Sequence, residues 1–571
     1  MNKPGQFTAL LVILFLTACS NPADNNHNNN TVADKGSATS QTVQTDTRQT
    51  SERMEHAPAT HTLTASDAIM QKGGNAIVAK SLMPASRIMS LAPVQAPAAW
   101  NRESYNPSRE NGFIASGHDP LSTFSIDVDT ASYANIRRFL RRSMLPPVGA
   151  VRIEEMINYF NYAYPQPAGK HPFSITTELG PCPWNQKHQL VRIGLKARDL
   201  EKNALPPSNL VFLIDVSGSM QAANKLPLLK QAMTMLVRQF GRQDRVSIVV
   251  YAGQDRVVLE PTPGSEQQKI IAAINHLGAG GSTHASSGIR TAYKLARQTY
   301  MPKGNNRIIL ASDGDFNVGV TSRDELKRLV ADKRKSGIYL TVLGFGMGNY
   351  HDDTMEILAD KGNGNYAYID SLLEAKKVMV KEMGGTMFAL ARDVKIQVEF
   401  NPAHVAAYRL IGYENRTLAD EDFNNDKKDA GEIGVGHTVT ALYELIPAGS
   451  EDVPAIDSLK YQQTKPVRAH QGEIMTVKLR YKPLHQDASI LLDTIVRTQD
   501  RRARLSATSN DFRFAAATAG FGMLLTDSEY RGDLDYARLI TLARNAKGQD
   551  REGYRAECIR LMETAQLLAR K

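Results

Sequence analysis

The sequence predicts a multidomain α/β plus β protein. A doubly wound domain with a mainly parallel sheet is inserted in a β-sandwich-like domain, and a helical region follows at the C-terminus. Three observations predict this. Over residues 209–384, continuous apolar runs alternate with amphipathic stretches at helical spacing. On both sides of that interval the apolar period drops to two, as in strands with one buried face. From residue 509 onward apolar positions recur every three to four residues. At 571 residues the chain is long enough for two or three cores.

In chain order, residues 124–128 form a short apolar strand leading into a helix-like run over 131–142, which Pro146-Pro147 closes. Asp127-Val128-Asp129-Thr130 sets two carboxylates one residue apart at that junction. A shared cation is one reading, and capping of the helix by Asp129 or Thr130 is the preferred one. Residues 173–179 alternate, as do Val191, Ile193, Leu195 and Ala197 with their polar neighbours. The two segments read as a hairpin turning through Gly180-Pro181-Cys182-Pro183. Leu210-Val211-Phe212-Leu213-Ile214 is continuously apolar, as a strand covered on both faces must be. Leu226, Leu229, Met233, Leu236, Val237 and Phe240 then fall on one helical face. Residues 246–251, 308–311 and 339–345 read as further buried strands, with helices over 270–274, 289–296 and around 326–330. Period two returns at Val394, Ile396, Val398 and Phe400, at Val439, Ala441, Tyr443 and Leu445, and at Val477, Leu479 and Tyr481. Leu539, Leu542 and Ala543, then Leu561, Ala565 and Leu568, mark the C-terminal helices.

The N-terminus carries its own signal. Lys3 precedes an apolar stretch over 7–16, too short for a permanent membrane span, and then comes Leu16-Thr17-Ala18-Cys19. This resembles the lipobox of bacterial lipoproteins. The resemblance implies a signal peptide over 1–18, acylation of Cys19 and a lipid anchor. Ser20 after the cysteine implies sorting to the outer membrane, facing the periplasm. Residues 19–98 are rich in Asn, Thr, Ser, Ala and Gln and read as a disordered tether. The expected plan continues with an N-terminal α+β module over 99–208 whose strands join the sandwich. The α/β domain (209–384), a β-rich domain (385–508) and the helical region (509–571) complete it. Cys182 and Cys558 remain in the body; an oxidising periplasm would allow a bridge between them, but their wide separation in sequence makes it the less expected outcome. The formal charge is +9, but Lys and Arg are interspersed with Asp and Glu, so no nucleic-acid surface is expected.

The strongest chemical signal is Asp215-Val216-Ser217-Gly218-Ser219, placed directly after the central apolar strand. Ligands of doubly wound sheets bind at the carboxyl ends of the strands. One carboxylate and two hydroxyls there make an all-oxygen site for a hard cation, Mg²⁺ first, with Mn²⁺ or Ca²⁺ as further options. The segment resembles the metal-ion-dependent adhesion site of von Willebrand factor A domains, whose motif is Asp-x-Ser-x-Ser. That resemblance implies a Thr from a second loop, matched by Thr283 in Gly280-Gly281-Ser282-Thr283. It implies an Asp from a third, matched by Asp313 in Ala311-Ser312-Asp313-Gly314-Asp315. It implies that Ser217 and Ser219 bind the metal directly, Thr283 directly or through water, and Asp215 and Asp313 largely through water. Three segments look like parts of an uncharacterised family of bacterial A-domain lipoproteins: Phe124-Ser125-Ile126-Asp127-Val128-Asp129, Val151-Arg152-Ile153-Glu154-Glu155-Met156, and Arg409-Leu410-Ile411-Gly412-Tyr413-Glu414. That family carries its own N-terminal module and a C-terminal region of unknown function.

Enzyme readings find little support. The sequence has no phosphate-loop Gly-x-x-x-x-Gly-Lys, no His-Glu-x-x-His and no Gly-x-Ser-x-Gly. The acidic cluster Asp420, Glu421, Asp422, Asp426 and Asp429 lacks EF-hand order and reads as a solvated loop. The expected function is a membrane-anchored, metal-dependent binding module whose cation is completed by an Asp or Glu of a protein partner. The alternative is a scaffold or accessory subunit of an envelope complex, with a structural or vestigial metal site.

Overall fold

The computed structural model describes residues 103–106, 109–281, 285–314, 323–348, 350–453, 470 and 472–569. The expected signal peptide, Cys19, the tether and Thr283 lie outside them. Among the described residues, no helix is long and apolar enough to cross a membrane.

A six-stranded sheet runs in the order Tyr366–Ile369, Tyr339–Phe345, Asn305–Ser312, Ser208–Asp215, Arg245–Tyr251, Asp255–Pro263. The first five strands are mutually parallel, and only the edge strand Asp255–Pro263 is antiparallel. All eight residues of the central strand Ser208–Asp215 are buried. The reason is visible in its alternation. Leu210, Phe212 and Ile214 face a core shared with Leu226, Leu229, Met233 and Leu236 of the helix Leu226–Val237. Val211 and Leu213 face the opposite core, against Ile289 and Ala292 of Ala285–Gln298 and Leu326 of Arg323–Lys333. Each such side chain contributes about 1.5–3 kcal/mol on burial, so a strand loaded on both faces is fixed at the centre of the sheet.

Two antiparallel sheets are each built from strands before and after this domain. One has the order Ile114–Ala115, Val405–Ile411, Thr438–Pro447, Gln189–Ala197, Phe173–Pro181. The other has Thr417–Leu418, Leu121–Ser125, Ala389–Phe400, Glu473–Pro483, Ile490–Arg497, with Gly431–Gly434 paired beside Ala389–Phe400. The period-two residues Val191, Ile193, Leu195, Ile396, Val398, Phe400, Val439, Ala441, Val477 and Leu479 meet in one core between them.

The helices Asn510–Leu525, Tyr536–Ala546 and Tyr554–Ala569 form the C-terminal layer. The first is buried almost all round, from Phe514 through Met523, because it is enclosed by other elements. Its core includes Ile136 and Leu140 of the helix Ala131–Arg141 and Met156 and Ile157 of Ile153–Asn158. The helix Ala131–Arg141 also sends Ala131 and Ala134 into the α/β core, so it bridges two layers. Arg137 fixes that bridge with ion pairs to Asp370 at 2.5 Å, Glu374 at 2.7 Å and Glu557 at 3.1 Å.

Three local expectations are corrected. The hairpin does not turn at Gly180-Pro181: pairing continues to Gly180↔Leu190 and Pro181↔Gln189, and the connection follows it. Gly180 is small for another reason, since a Cβ there would lie 2.7 Å from Thr508 Cγ2 at the head of Asn510–Leu525. Pro181 is tolerated because its strand is a sheet edge. Neither Asp129 nor Thr130 caps Ala131–Arg141 through its side chain. Asp129 Oδ1 accepts the Tyr366 amide at 2.7 Å, and the buried first-turn amide of Ser132 donates to Glu155 at 2.8 Å. Nor is the 420–429 loop merely solvated. Lys395 Nζ donates to the carbonyls of Asp422 and Asn425, and Arg334 pairs with Asp429 at 2.6 Å. Cys182 and Cys558 are both buried and unbridged, as their separation in sequence leads one to expect.

Candidate metal centre

Asp215 ends the central strand, where buried side chains on both faces leave its carboxyl no freedom to leave the sheet. The chain then folds back on that carboxyl: the Ser217 amide donates to Asp215 Oδ1 at 2.9 Å, an Asx-type turn that opens the short 3-10 segment Gly218–Gln221. The turn brings the Ser217 and Ser219 hydroxyls to 3.1 Å from each other. Ser217 is buried and Ser219 exposed, so the pair spans from the interior to solvent.

The second loop is laced to the first by its backbone. The Gly218 amide donates to the Gly281 carbonyl at 3.1 Å, and the Gly280 amide to the Val216 carbonyl at 2.7 Å. Gly281 holds φ at +93°, a conformation that favours glycine. Thr283 itself lies outside the described residues.

The third loop follows the strand Asn305–Ser312. Ser312 Oγ donates to Asp215 Oδ2 at 3.1 Å and accepts from the Gly314 amide at 3.0 Å, tying the third loop to the first carboxylate. Gly314 is also at positive φ, +82°, and a Cβ there would meet the His351 amide nitrogen at 2.7 Å. Asp313 is buried and accepts from Lys225 Nζ at 2.8 Å.

The structure thus brings Asp215, Ser217, Ser219 and Asp313 to the carboxyl end of the sheet, on adjoining loops. Burial is the main cause that pushes the Asp215 carboxyl up to about 6, and the nearby Asp313 adds to it. Burial, and then the Asp215 charge, also holds the Tyr251 phenol well above its ordinary value. A desolvated carboxylate pushed up in this way is held at an energetic cost that a nearby cation removes. Among the described residues no group of three or more His, Cys, Asp or Glu side chains is placed so that it alone could hold a metal ion. The groups gathered here, two carboxylates plus hydroxyls, are an oxygen set of the kind that fits Mg²⁺. Sequence reasoning missed Lys225 and the bridging role of Ser312. Ser312 was within reach as the neighbour of Asp313, whereas nothing in the local sequence pairs Lys225 with a residue in another loop.

Three regions of the chain match known protein families. Residues 209–381 match the von Willebrand factor type A domain, 99–192 a module described as von Willebrand factor, and 385–568 the C-terminal region of the uncharacterized protein YfbK. The uncharacterized protein YfbK of Escherichia coli (strain K12) is 42% identical over 471 residues, covering 81% of this chain and 80% of that one. The chain belongs to the YfbK family. The uncharacterized protein sll0103 of Synechocystis sp. is also similar, 27% identical over 194 residues, 34% of this chain and 44% of its own. Among solved structures, a von Willebrand factor type A protein from Catenulispora acidiphila aligns with TM-score 0.39 and 15% identity, over 68% of this chain and 89% of that one.

Proposed function

We propose that this YfbK-family protein is a metal-dependent protein-binding module held in the bacterial cell envelope by a lipid on Cys19. In this reading Asp215, Ser217, Ser219, Thr283 and Asp313 hold Mg²⁺, with Mn²⁺ or Ca²⁺ as substitutes. The two antiparallel sheets act as one sandwich that carries the inserted A domain and presents its loops. The observation that carries the proposal is the graded site itself. Asp215 and Asp313 are buried at the carboxyl ends of neighbouring strands, while the Ser217–Ser219 hydroxyl pair leads out to solvent.

When bound, the cation would supply a positive charge with a coordination position open to a carboxylate, an attraction that grows as water is excluded. The chain's own residues prepare for this. Ser312 and the Ser217 amide fix both oxygens of Asp215. The Gly218–Gly281 and Gly280–Val216 hydrogen bonds hold the second loop against the first. Exposed Ser219 stands where an Asp or Glu of a protein partner would approach. We favour binding over catalysis because no nucleophile–base pair accompanies Ser217 or Ser219 in the described loops.

The alternative is a scaffold or accessory subunit whose cation only stabilises the fold, and the Lys225–Asp313 ion pair favours it by satisfying one carboxylate from within. Partner capture by the wild type and by Asp215→Ala, each with Mg²⁺ and with EDTA, separates the two. Capture lost in EDTA and in the variant supports adhesion-type binding. Capture unchanged in both, with only a lower melting temperature, supports the scaffold.

A further inference from the structure

Lys225 follows the loop that carries Ser217 and Ser219 and stands at the N-cap of the helix Leu226–Val237. Its ammonium is directed inward, 2.8 Å from Asp313 Oδ2, with 9% of the Lys side chain and 1% of the Asp side chain exposed. The path of its stem is built into the fold. Gly346, at φ +81°, is the residue it crosses, and a Cβ there would lie 2.2 Å from Lys225 Cε, 2.7 Å from Cγ and 2.8 Å from Cδ. The Gly346 carbonyl is in turn held by the Tyr368 hydroxyl. A long side chain threaded past a glycine to one carboxylate has little room to swing to solvent. The ammonium therefore stays beside Asp313 when other charges arrive.

We propose that Lys225 sets the charge of the metal site: it shares Asp313 with the cation, weakening the cation's hold and leaving the loaded site more positive toward an acidic partner. The inference rests on the metal-binding reading above. Asp215 and Asp313 together bring two negative charges, which a divalent cation balances. Lys225 adds one positive charge in contact with one of those carboxylates. In a partly desolvated site a like charge at such range opposes the incoming metal strongly. The same excess charge then favours an anion at the open side, so metal affinity is exchanged for partner affinity. A solely structural ion pair predicts neither effect.

The test uses the full-length chain in detergent and Mg²⁺ alone as the titrant, by calorimetry at pH 8. The proteins are wild type, Lys225→Met, Lys225→Gln, Lys225→Arg and Asp215→Ala, each checked by thermal denaturation for folding. Loss of the charge in Lys225→Met should tighten Mg²⁺ by about tenfold or more. Lys225→Gln, which keeps a hydrogen-bond donor for Asp313, should do the same even where Lys225→Met folds poorly. Lys225→Arg should stay near wild type. Acetate is the second probe, read by methyl-proton relaxation in the Mn²⁺-loaded proteins. The enhancement should be larger in wild type than in Lys225→Gln. Unchanged or weaker Mg²⁺ binding by both neutral variants, beside a wild type that binds and an Asp215→Ala that does not, overturns the role of Lys225 and leaves the metal reading intact. Absence of binding by wild type and neutral variants alike, or binding undiminished in Asp215→Ala, overturns the metal reading and this inference with it.

Discussion

Asn in place of Asp215 should stabilise the metal-free protein while abolishing its response to Mg²⁺. Burial raises the Asp215 carboxyl from 3.8 to about 6. A carboxyl raised in the folded state favours folding below its unfolded value and loses that contribution as pH climbs through the folded one. At pH 8 in EDTA the ionised group therefore costs about 3 kcal/mol relative to its neutral form. Asn removes the charge and keeps an oxygen for the Ser217 amide. Its amide nitrogen, however, faces Ser312 Oγ, which donates to Asp215 and accepts from Gly314. Rearranging that hydroxyl costs on the order of 1 kcal/mol, so the net gain is about 2 kcal/mol at pH 8. The gain should vanish by about pH 4, where wild-type Asp215 is itself protonated. Urea unfolding of both proteins at pH 8 and pH 4 in EDTA measures this directly. With Mg²⁺ at about 100 times its Kd, wild type should recover about 2.7 kcal/mol and the variant nothing. An Asn variant less stable than wild type at pH 8 in EDTA would refute the claim that Asp215 is held at a cost.

Other outcomes follow from the packing. Arg137→Met leaves buried Asp370 and Glu374 without their guanidinium and should destabilise by about 3–5 kcal/mol in urea unfolding, since a broken buried pair strands a charge. Gly194→Ala places a Cβ 2.2 Å from Tyr164 Cζ and should lower stability by about 1–3 kcal/mol, recovered in part by Tyr164→Leu in a double-mutant cycle. Thiol titration in denaturant after air oxidation of the native protein should still find Cys182 and Cys558 reactive, because both are buried and unbridged and burial pushes each thiol up.

Much of the architecture was legible because it depends on local periodicity. The run Leu210 to Ile214 had to be a doubly covered strand, and the alternation from Val394 to Phe400 had to put those residues in one core. The placement of the first and third loops was legible too, since each follows a buried strand. What the sequence hid depends on partners far away in the chain. Gly180 looked like a turn residue but is small to admit Thr508. Asp129 looked like a cap but serves the amide of Tyr366. The helix Ala131–Arg141 gave no sign that it would join the α/β layer to the C-terminal helices. Lys225 was hidden for the same reason, its partner lying in another loop.

The central claim, that these loops hold a cation, is tested most directly by calorimetric titration of Mg²⁺ into wild type and a Ser217→Ala/Ser219→Ala variant. The account predicts saturable binding by wild type with about one ion per chain, and none by the variant, with both proteins folded. Equal binding by both would place the metal elsewhere, and no binding by either would contradict the account.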